Sequence, residues 1–339
     1  MMAPTPERLL DLVDGFAGQE VVLWADLVAD RFITGTPKRI SREAPVLILS
    51  HDREETIPGG GANAVANVAA LGGRPLPIGV VGDDDNGAAL LDILRQRGIS
   101  TDGILRHAGY RTPTKTRILG GARHAIKQQI VRYDIEDELV LNGSERDELL
   151  NSLSALAPKA GAAILSDYGY GTVDPVLLPR IRERLPEGCP ILGDSRYRLN
   201  EFQGLDGATP NTEEAEKLLG VDLDNEVDAA GETLRKQLAA RFLLITRGSS
   251  GMALFTADGV GHVPVHGTDQ VADVTGAGDT VIGTFALALA AGATPLEAAC
   301  LANYAGGVVV MKMGTATLTR EELRAAIQQD PELLQAVRC

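Results

Sequence analysis

The sequence predicts an α/β protein with a mostly parallel central sheet, helices on both of its faces, and a small β lid. Short apolar runs alternate with helical segments through most of the chain. The runs are continuously apolar rather than alternating, the pattern of strands buried on both faces. Two stretches, 31–57 and 104–137, break that rhythm with charges, β-formers and turn residues, and read as hairpin-like excursions over a pocket.

Taken in order, Val21-Val22-Leu23-Trp24-Ala25 is the first expected strand, with Asp26 at its end. The first excursion follows, with a turn expected at Gly35-Thr36-Pro37. Pro58-Gly59-Gly60-Gly61 then opens an Ala-rich helix over 61–71. A strand at 77–81 and a helix at 87–97 lead to the second excursion, which carries turn residues at Gly120-Gly121. Further strands are expected at 163–166, 190–193 and 242–246, alternating with helices at 173–184, 213–219 and 227–239. Two small-residue helices, 279–291 and 295–310, complete the pattern. No internal repeat or linker interrupts it, so the simplest description is one domain over 8–330 with the lid inserted.

Composition narrows the function. A hydrophobic content of 44% suffices for a large core, and a net charge of −14 argues against nucleic acid or anionic membrane as partners. Phosphate ligands must then be met by local donors. No apolar run approaches the roughly 20 residues that span a bilayer. The first residues lack the basic and apolar regions of a signal peptide. Cys189, Cys300 and Cys339 are few and widely spaced, as expected of reduced thiols, and together these features predict a cytoplasmic protein. The five histidines show no metal-binding spacing.

Most of the chemical information lies in Asp273-Val274-Thr275-Gly276-Ala277-Gly278-Asp279-Thr280. A glycine turn delivered onto the N-terminus of a buried helix presents free N–H groups and a positive dipole end to an anion. A carboxylate beside an anion seat is suited to proton transfer, which makes Asp279 the candidate general base and the turn the candidate cradle for a phosphoryl group. The same residues also serve a plain helix start, with Asp as N-cap.

Other strand ends carry candidates of the same kind. Gly59 and Gly60 allow close approach of a ligand to the backbone, and Asn63 offers both donor and acceptor. Asp26 sits where α/β sheets place ligand contacts. In Thr209-Pro210-Asn211-Thr212-Glu213-Glu214, Asn211 can cap a helix, or Asn211 and Glu214 can form a metal–phosphate station with Mg²⁺ held through water. Thr246-Arg247-Gly248 is either a simple turn or a seat for nucleotide phosphates. Neither a P-loop nor a dinucleotide fingerprint is present.

In order and spacing, Gly59-Gly60 with Asn63, Asn211-x-x-Glu214, Thr246-Arg247-Gly248 and the Gly276–Asp279 turn resemble the PfkB, or ribokinase-like, carbohydrate kinases. Asp30-Arg31-Phe32, the Arg39–Val46 stretch, Leu165-Ser166-Asp167-Tyr168 and Asp273–Gly283 resemble the branch that phosphorylates D-glycero-β-D-manno-heptose 7-phosphate. The resemblance implies a ribokinase-like three-layer fold and transfer from ATP to the anomeric hydroxyl, giving the 1,7-bisphosphate. Another sugar or nucleoside kinase of the family is the alternative, and a non-catalytic sensor on the same fold a remoter one. Ala25, Tyr170 and the Asp194-Ser195-Arg196 run depart from the family pattern.

The resemblance also distributes roles. Asp279 takes the proton, and the N–H groups of Gly276, Ala277 and Gly278 stabilise the transferring group. Asp26, Gly59, Gly60 and Asn63 contact sugar hydroxyls, while Lys115, Arg117, Arg39 and Arg42 are the lid cations available to a sugar phosphate. Asn211, Glu214, Arg196, Thr246, Arg247, Gly248 and Asn303 serve the nucleotide and its Mg²⁺. Asp273 and Thr275, with carbonyls of the 312–317 loop, resemble a monovalent-cation site for K⁺. The expected partners are the sugar and ATP, a second subunit paired through the lid, and a separate nucleotidyltransferase.

Overall fold

One strand organises the molecule. In the computed structural model, which describes residues 1–122, 127–223, 226–267 and 271–339, strand β1 runs for 21 residues from Glu20 to Ile40. The other strands, in chain order, are β2 (Leu47–Gly60), β3 (Arg74–Gly82), β4 (Ile104–His107), β5 (Thr114–Gly120) and β6 (Gln128–Ile135). They continue with β7 (Ala162–Asp167), β8 (Ile191–Ser195), β9 (Gly207–Ala208), β10 (Phe242–Thr246), β11 (Met252–Thr256) and β12 (Gly259–Val263).

The lower half of β1 lies in the main sheet, ordered β12-β11-β10-β9-β8-β7-β1-β3-β4. Pairing is parallel from β10 to β4 and antiparallel only at the β10–β11–β12 edge. Val21, Leu23 and Ala25 join one buried cluster, and Val22 and Trp24 join the other, so the period of two along the strand builds a core on each face. The first core is closed by helices that include α1 (Pro6–Asp14), α2 (Gly61–Ala70) and α3 (Asp85–Gln96). The second is covered by α4 (Gly143–Leu156), α5 (Leu178–Arg182), α6 (Thr212–Leu219) and α7 (Val227–Gln237). On the first face also lie α8 (Ala277–Ala290), α9 (Pro295–Val309) and α10 (Arg320–Gln329).

The upper half of β1 leaves this sheet and becomes the spine of the lid, antiparallel to β2 and parallel to β5, with β6 beyond β5. The expected turn at Gly35-Thr36-Pro37 is therefore a correction. The strand passes through it with register shifts on either side, and the turn lies at 41–46 instead. Glycine and proline here mark bulges, where the ladder tolerates a missing donor or side chain. A Cβ on Gly35 would stand 2.9 Å from Leu49 Cβ.

Residues 104–107 also differ from expectation, extending the main sheet as β4 before the lid resumes at β5. Gly120 ends β5, and part of the turn that follows, 123–126, lies outside the described residues. The expected helix 173–184 is instead a 3₁₀ turn at Pro175–Leu177 followed by the short α5, because Pro175 and Pro179 each restrict the backbone before them.

Candidate active site

The parallel strands deliver their carboxyl ends to one cleft, a cavity of about 1090 Å³ roofed by the lid. The Gly276–Asp279 turn lies at its centre. Gly276 is the N-cap of α8 in the left-handed region at φ 78°, and a Cβ there would stand 2.5 Å from Asn63 Nδ2, so only glycine fits. Asp279 is thus the third residue of the helix and not its cap, and no side chain caps this end. The N–H groups of Gly276, Gly278 and Asp279 have no hydrogen-bond partner among the described residues. Ala277 departs from expectation, since its N–H donates to Val274 O at 3.2 Å.

Asp279 is buried, yet it lines the cavity. Tyr168 Oη donates to its Oδ1 at 2.7 Å, and Asn63 Nδ2 donates to its Oδ2 at 3.0 Å. Burial pushes its carboxyl up to about 6, against the pull of those two donors. That places a carboxylate near the ideal basicity for general-base work at neutral pH.

One side of the cavity is built from β1 and the lid. Gly60, Lys115 and Arg117 line the cavity there, joined by Asp30 and Arg132. Asp30 is 3% exposed, takes Arg117 Nη1 at 2.7 Å, and accepts from Thr315 Oγ1 at 2.8 Å. Burial and the neighbouring Arg196 charge lower the Lys115 ammonium, which favours the arrival of an anion. Arg39 is exposed on the far half of β1, Arg42 in the turn beyond it, and neither reaches the cavity.

Three expected sugar contacts are corrected here. Asp26 does not line the cavity; its carboxylate accepts the N–H groups of Tyr168, Tyr170 and Thr172 at 2.9, 3.0 and 3.0 Å. The misplacement follows from the strand: β1 does not end at Asp26, so the acid that lines the cavity is Asp30, four residues further along. Asn63 spends its amide nitrogen on Asp279 and Gly276 O, and its oxygen accepts from Asn67 Nδ2 at 3.2 Å. Gly59 makes room instead of contact, since a Cβ there would stand 2.7 Å from the Asp30 carboxyl.

Across the cavity, Asn211, Glu214, Arg196, Thr246, Arg247 and Gly248 all line the wall. Asn211 and Glu214 do form the capping box of α6, with Asn211 Oδ1 accepting from Glu214 N at 2.9 Å and Glu214 Oε2 accepting from Asn211 N at 3.0 Å. Asn211 Nδ2 and Glu214 Oε1 have no hydrogen-bond partner among the described residues. Asn303 is buried, donates to Pro264 O at 2.9 Å, and turns toward the same wall. Thr275 lines the cavity but Asp273 does not. Asp273 accepts from Thr275 N at 2.9 Å and Gly314 N at 3.0 Å, tying the glycine turn to the 312–317 loop.

Residues 21–166 and 183–322 match the model of the pfkB family carbohydrate kinases. The chain belongs to this family. It is 40% identical over 328 residues to the bifunctional protein HldE of Mesorhizobium japonicum, covering 96% of this chain and 65% of that protein. It is also 40% identical over 327 residues to HldE of Caulobacter sp., covering 94% of this chain and 64% of the relative. The chain thus spans a little under two thirds of these relatives. Among solved structures it resembles Arabidopsis thaliana ribokinase complexed with ribose and ATP, with a TM-score of 0.69 at 20% identity over 92% of this chain and 99% of the other. It resembles Escherichia coli phosphofructokinase-2 in complex with potassium at a TM-score of 0.73 and 18% identity, over 94% and 99%. Those likenesses establish the ribokinase-like fold.

Membership of the pfkB family carbohydrate kinases implies ATP together with Mg²⁺. Two hard oxygen donors fit that ion. The Asp194 side chain lines the cavity beside Glu214 and forms no hydrogen bond or ion pair among the described residues. Its carboxyl is raised well above the ordinary range by burial and then by the Glu214 and Asp279 charges, and Glu214 is raised by burial. Carboxylates crowded in this way gain from a dication, which needs only one or two protein oxygens when phosphates and water complete its shell. No group of three or more His, Cys, Asp or Glu side chains suited to a metal exists among the described residues.

Sequence reading missed Asp30, Tyr168, Asp194 and Arg132 as site residues. Asp30 and Tyr168 lie inside stretches that carried the resemblance, and Asp194 in the run that departs from it; Asp30 sits midway along β1, the other two near strand ends. Only Arg132 left no signal beyond its place in a charged strand.

Proposed function

We propose that this chain transfers the γ-phosphoryl group of ATP to the anomeric hydroxyl of D-glycero-β-D-manno-heptose 7-phosphate, acting as one kinase domain over 8–330. The observation that carries the reading is the convergence of Lys115, Arg117 and Arg132 on the acceptor side of the cavity that holds Asp279. An acceptor already bearing a phosphate needs such cations, whereas a plain sugar does not. The likeness to HldE proteins supports the same branch.

The chemistry follows from the positions. Asp279 accepts the proton of the anomeric hydroxyl as its oxygen bonds to the γ-phosphorus, and the bond from that phosphorus to the bridging oxygen of ADP breaks. The free amides of Gly276, Gly278 and Asp279 face the charge on the transferring group. Asp30 and Gly60 meet the sugar, and the lid cations hold its 7-phosphate. Asn211, Glu214, Arg196, Thr246, Arg247, Gly248 and Asn303 hold the nucleotide, with Asp194 and Glu214 receiving Mg²⁺, which would neutralise phosphate charge. The lid excludes water that would otherwise consume ATP.

ADP release with Mg-ATP across heptose 7-phosphate, fructose 6-phosphate, ribose, fructose and adenosine tests the reading. Turnover confined to the heptose phosphate is expected; preference for an unphosphorylated acceptor overturns the branch and favours another kinase of the family.

Three further elements belong to this reading. Exposed Ile40, Val46, Leu47, Ile130, Val131 and Tyr133 on the lid support pairing of two lids in a homodimer, tested by light scattering of wild type and a Val131→Lys variant. The Asp273–Gly314 junction beside Thr275 supports activation by K⁺, tested by exchanging potassium for tetramethylammonium. A separate nucleotidyltransferase would consume the anomeric phosphate once the 7-phosphate is hydrolysed, tested by pyrophosphate release when a phosphatase, such an enzyme and a nucleoside triphosphate are added.

A further inference from the structure

Asp26 and Asp279 stand at the two ends of one chain of contacts that the phosphoryl-transfer scheme does not use. Asp26 gathers the amides of Tyr168, Tyr170 and Thr172, and its neighbour in space, Asp167, is held in turn. Asp167 takes Arg198 Nε at 3.0 Å and Nη2 at 2.8 Å, and accepts from Ser195 Oγ at 2.6 Å. The backbone of Tyr168 is therefore clamped at its own amide and at the residue before it. Its ring passes Gly60, where a Cβ would stand 3.3 Å from Cε2, and its hydroxyl ends 2.7 Å from Asp279 Oδ1. Lys115 Nζ lies 5.3 Å and the Arg196 guanidinium 6.0 Å from the centroid of the same ring.

We propose that Tyr168 is a positioning residue for the transfer: its hydroxyl aims the Asp279 carboxylate at the acceptor hydroxyl, and its ring is the platform from which Lys115 and Arg196 face the two phosphate-bearing substrates. This rests on the kinase reading above. A carboxylate free to rotate would present either oxygen in any plane. Here Asn63 fixes Oδ2 and Tyr168 fixes Oδ1, so one set of lone pairs is left for the substrate. Tyr168 is itself no base, because burial and the Asp279 charge hold its hydroxyl protonated. The groups facing Asp279 are Asn63 from α2, Asp30 from β1, Lys115 from β5, Asp194 at the end of β8 and Tyr168. Of these only Asn63 and Tyr168 donate a hydrogen bond to it.

Kinetics of wild type, Tyr168→Phe, Tyr168→Leu, Asp279→Asn and the Asp279→Asn/Tyr168→Phe pair, across pH and with melting temperatures read alongside, test the proposal. Tyr168→Phe keeps the ring, so kcat should fall on the order of 10- to 100-fold with both KM values within about twofold. The acid limb of its pH profile should move to higher pH, because a donor that favours the ionised carboxylate is gone. Tyr168→Leu should also raise KM for both substrates several-fold, on the order of one cation–π contact each. Adding Tyr168→Phe to Asp279→Asn should cost no further rate, since the hydroxyl acts through the carboxylate. Wild-type kcat and an unmoved acid limb in Tyr168→Phe, or a full further loss in the pair, would overturn the inference while leaving the kinase reading standing. Absence of turnover by wild type on every sugar would overturn both.

Discussion

The two halves of β1 share one backbone and live in different worlds. From Val21 to Ala25 every side chain is fully buried between two helical layers, whereas Lys38 to Ile40 are exposed. Two carboxylates four positions apart mark the change. Asp26 spends both oxygens on three backbone amides and shapes the loop behind the site, while Asp30 faces the cavity with Arg117 and Thr315. On the proposed reading, the core half sets where the chemistry happens and the lid half sets what is brought to it. Variants on the core side should therefore move kcat or stability, and variants on the lid side should move the KM of the sugar.

The largest effect is expected at the centre. Asp279→Asn should lower kcat by on the order of 10²–10⁴ while leaving the melting temperature and ATP binding near wild type. Near-normal turnover would break the assignment of the base. Next comes Asp26→Ala, which strands three amides without their acceptor and should cost roughly 2–4 kcal/mol in denaturant melts. A stable variant with a raised sugar KM would instead return Asp26 to the ligand side and dissolve the contrast with Asp30.

On the lid half, Lys115→Met should raise the KM for a sugar phosphate about tenfold, the worth of one charge-assisted contact, and leave an unphosphorylated analogue unaffected. Equal effects on both acceptors would mean that Lys115 does not read the phosphate. The smallest and most general effect is that of pH. Asp279 must be ionised to take a proton, and its value of about 6 lies above the ordinary 3.8. Activity should thus be full well above pH 6 and fall about tenfold per unit below it. An acid limb near pH 4 would show a solvated carboxylate and contradict the burial.

These contrasts also show what could be read from residues alone. The glycine turn before Asp279 was legible because Gly276 and Gly278 make a demand on the backbone that few sequences make by accident. The wall of Asn211, Glu214 and Arg247 was legible because parallel sheets present strand ends to one edge. The role of Asp26 was not, because two acids on one strand look alike until the amides of the 168–172 loop arrive from more than a hundred residues away. Nor was the course of β1 through Gly35 and Pro37, since residues that usually end a strand here only bulge it.

The sequence by itself determined the layered sheet, the family and the glycine turn that carries Asp279. Continuous apolar runs and a glycine turn are local facts whose consequences the backbone cannot evade. Only the tertiary structure decided which carboxylate lines the cavity, which amides stay free, and that Tyr168 reaches Asp279. Those outcomes depend on where buried hydrogen-bonding groups find partners. In a folded chain the partners come from strands distant in sequence, because leaving any of them unmet inside the core would cost more than the contact gains.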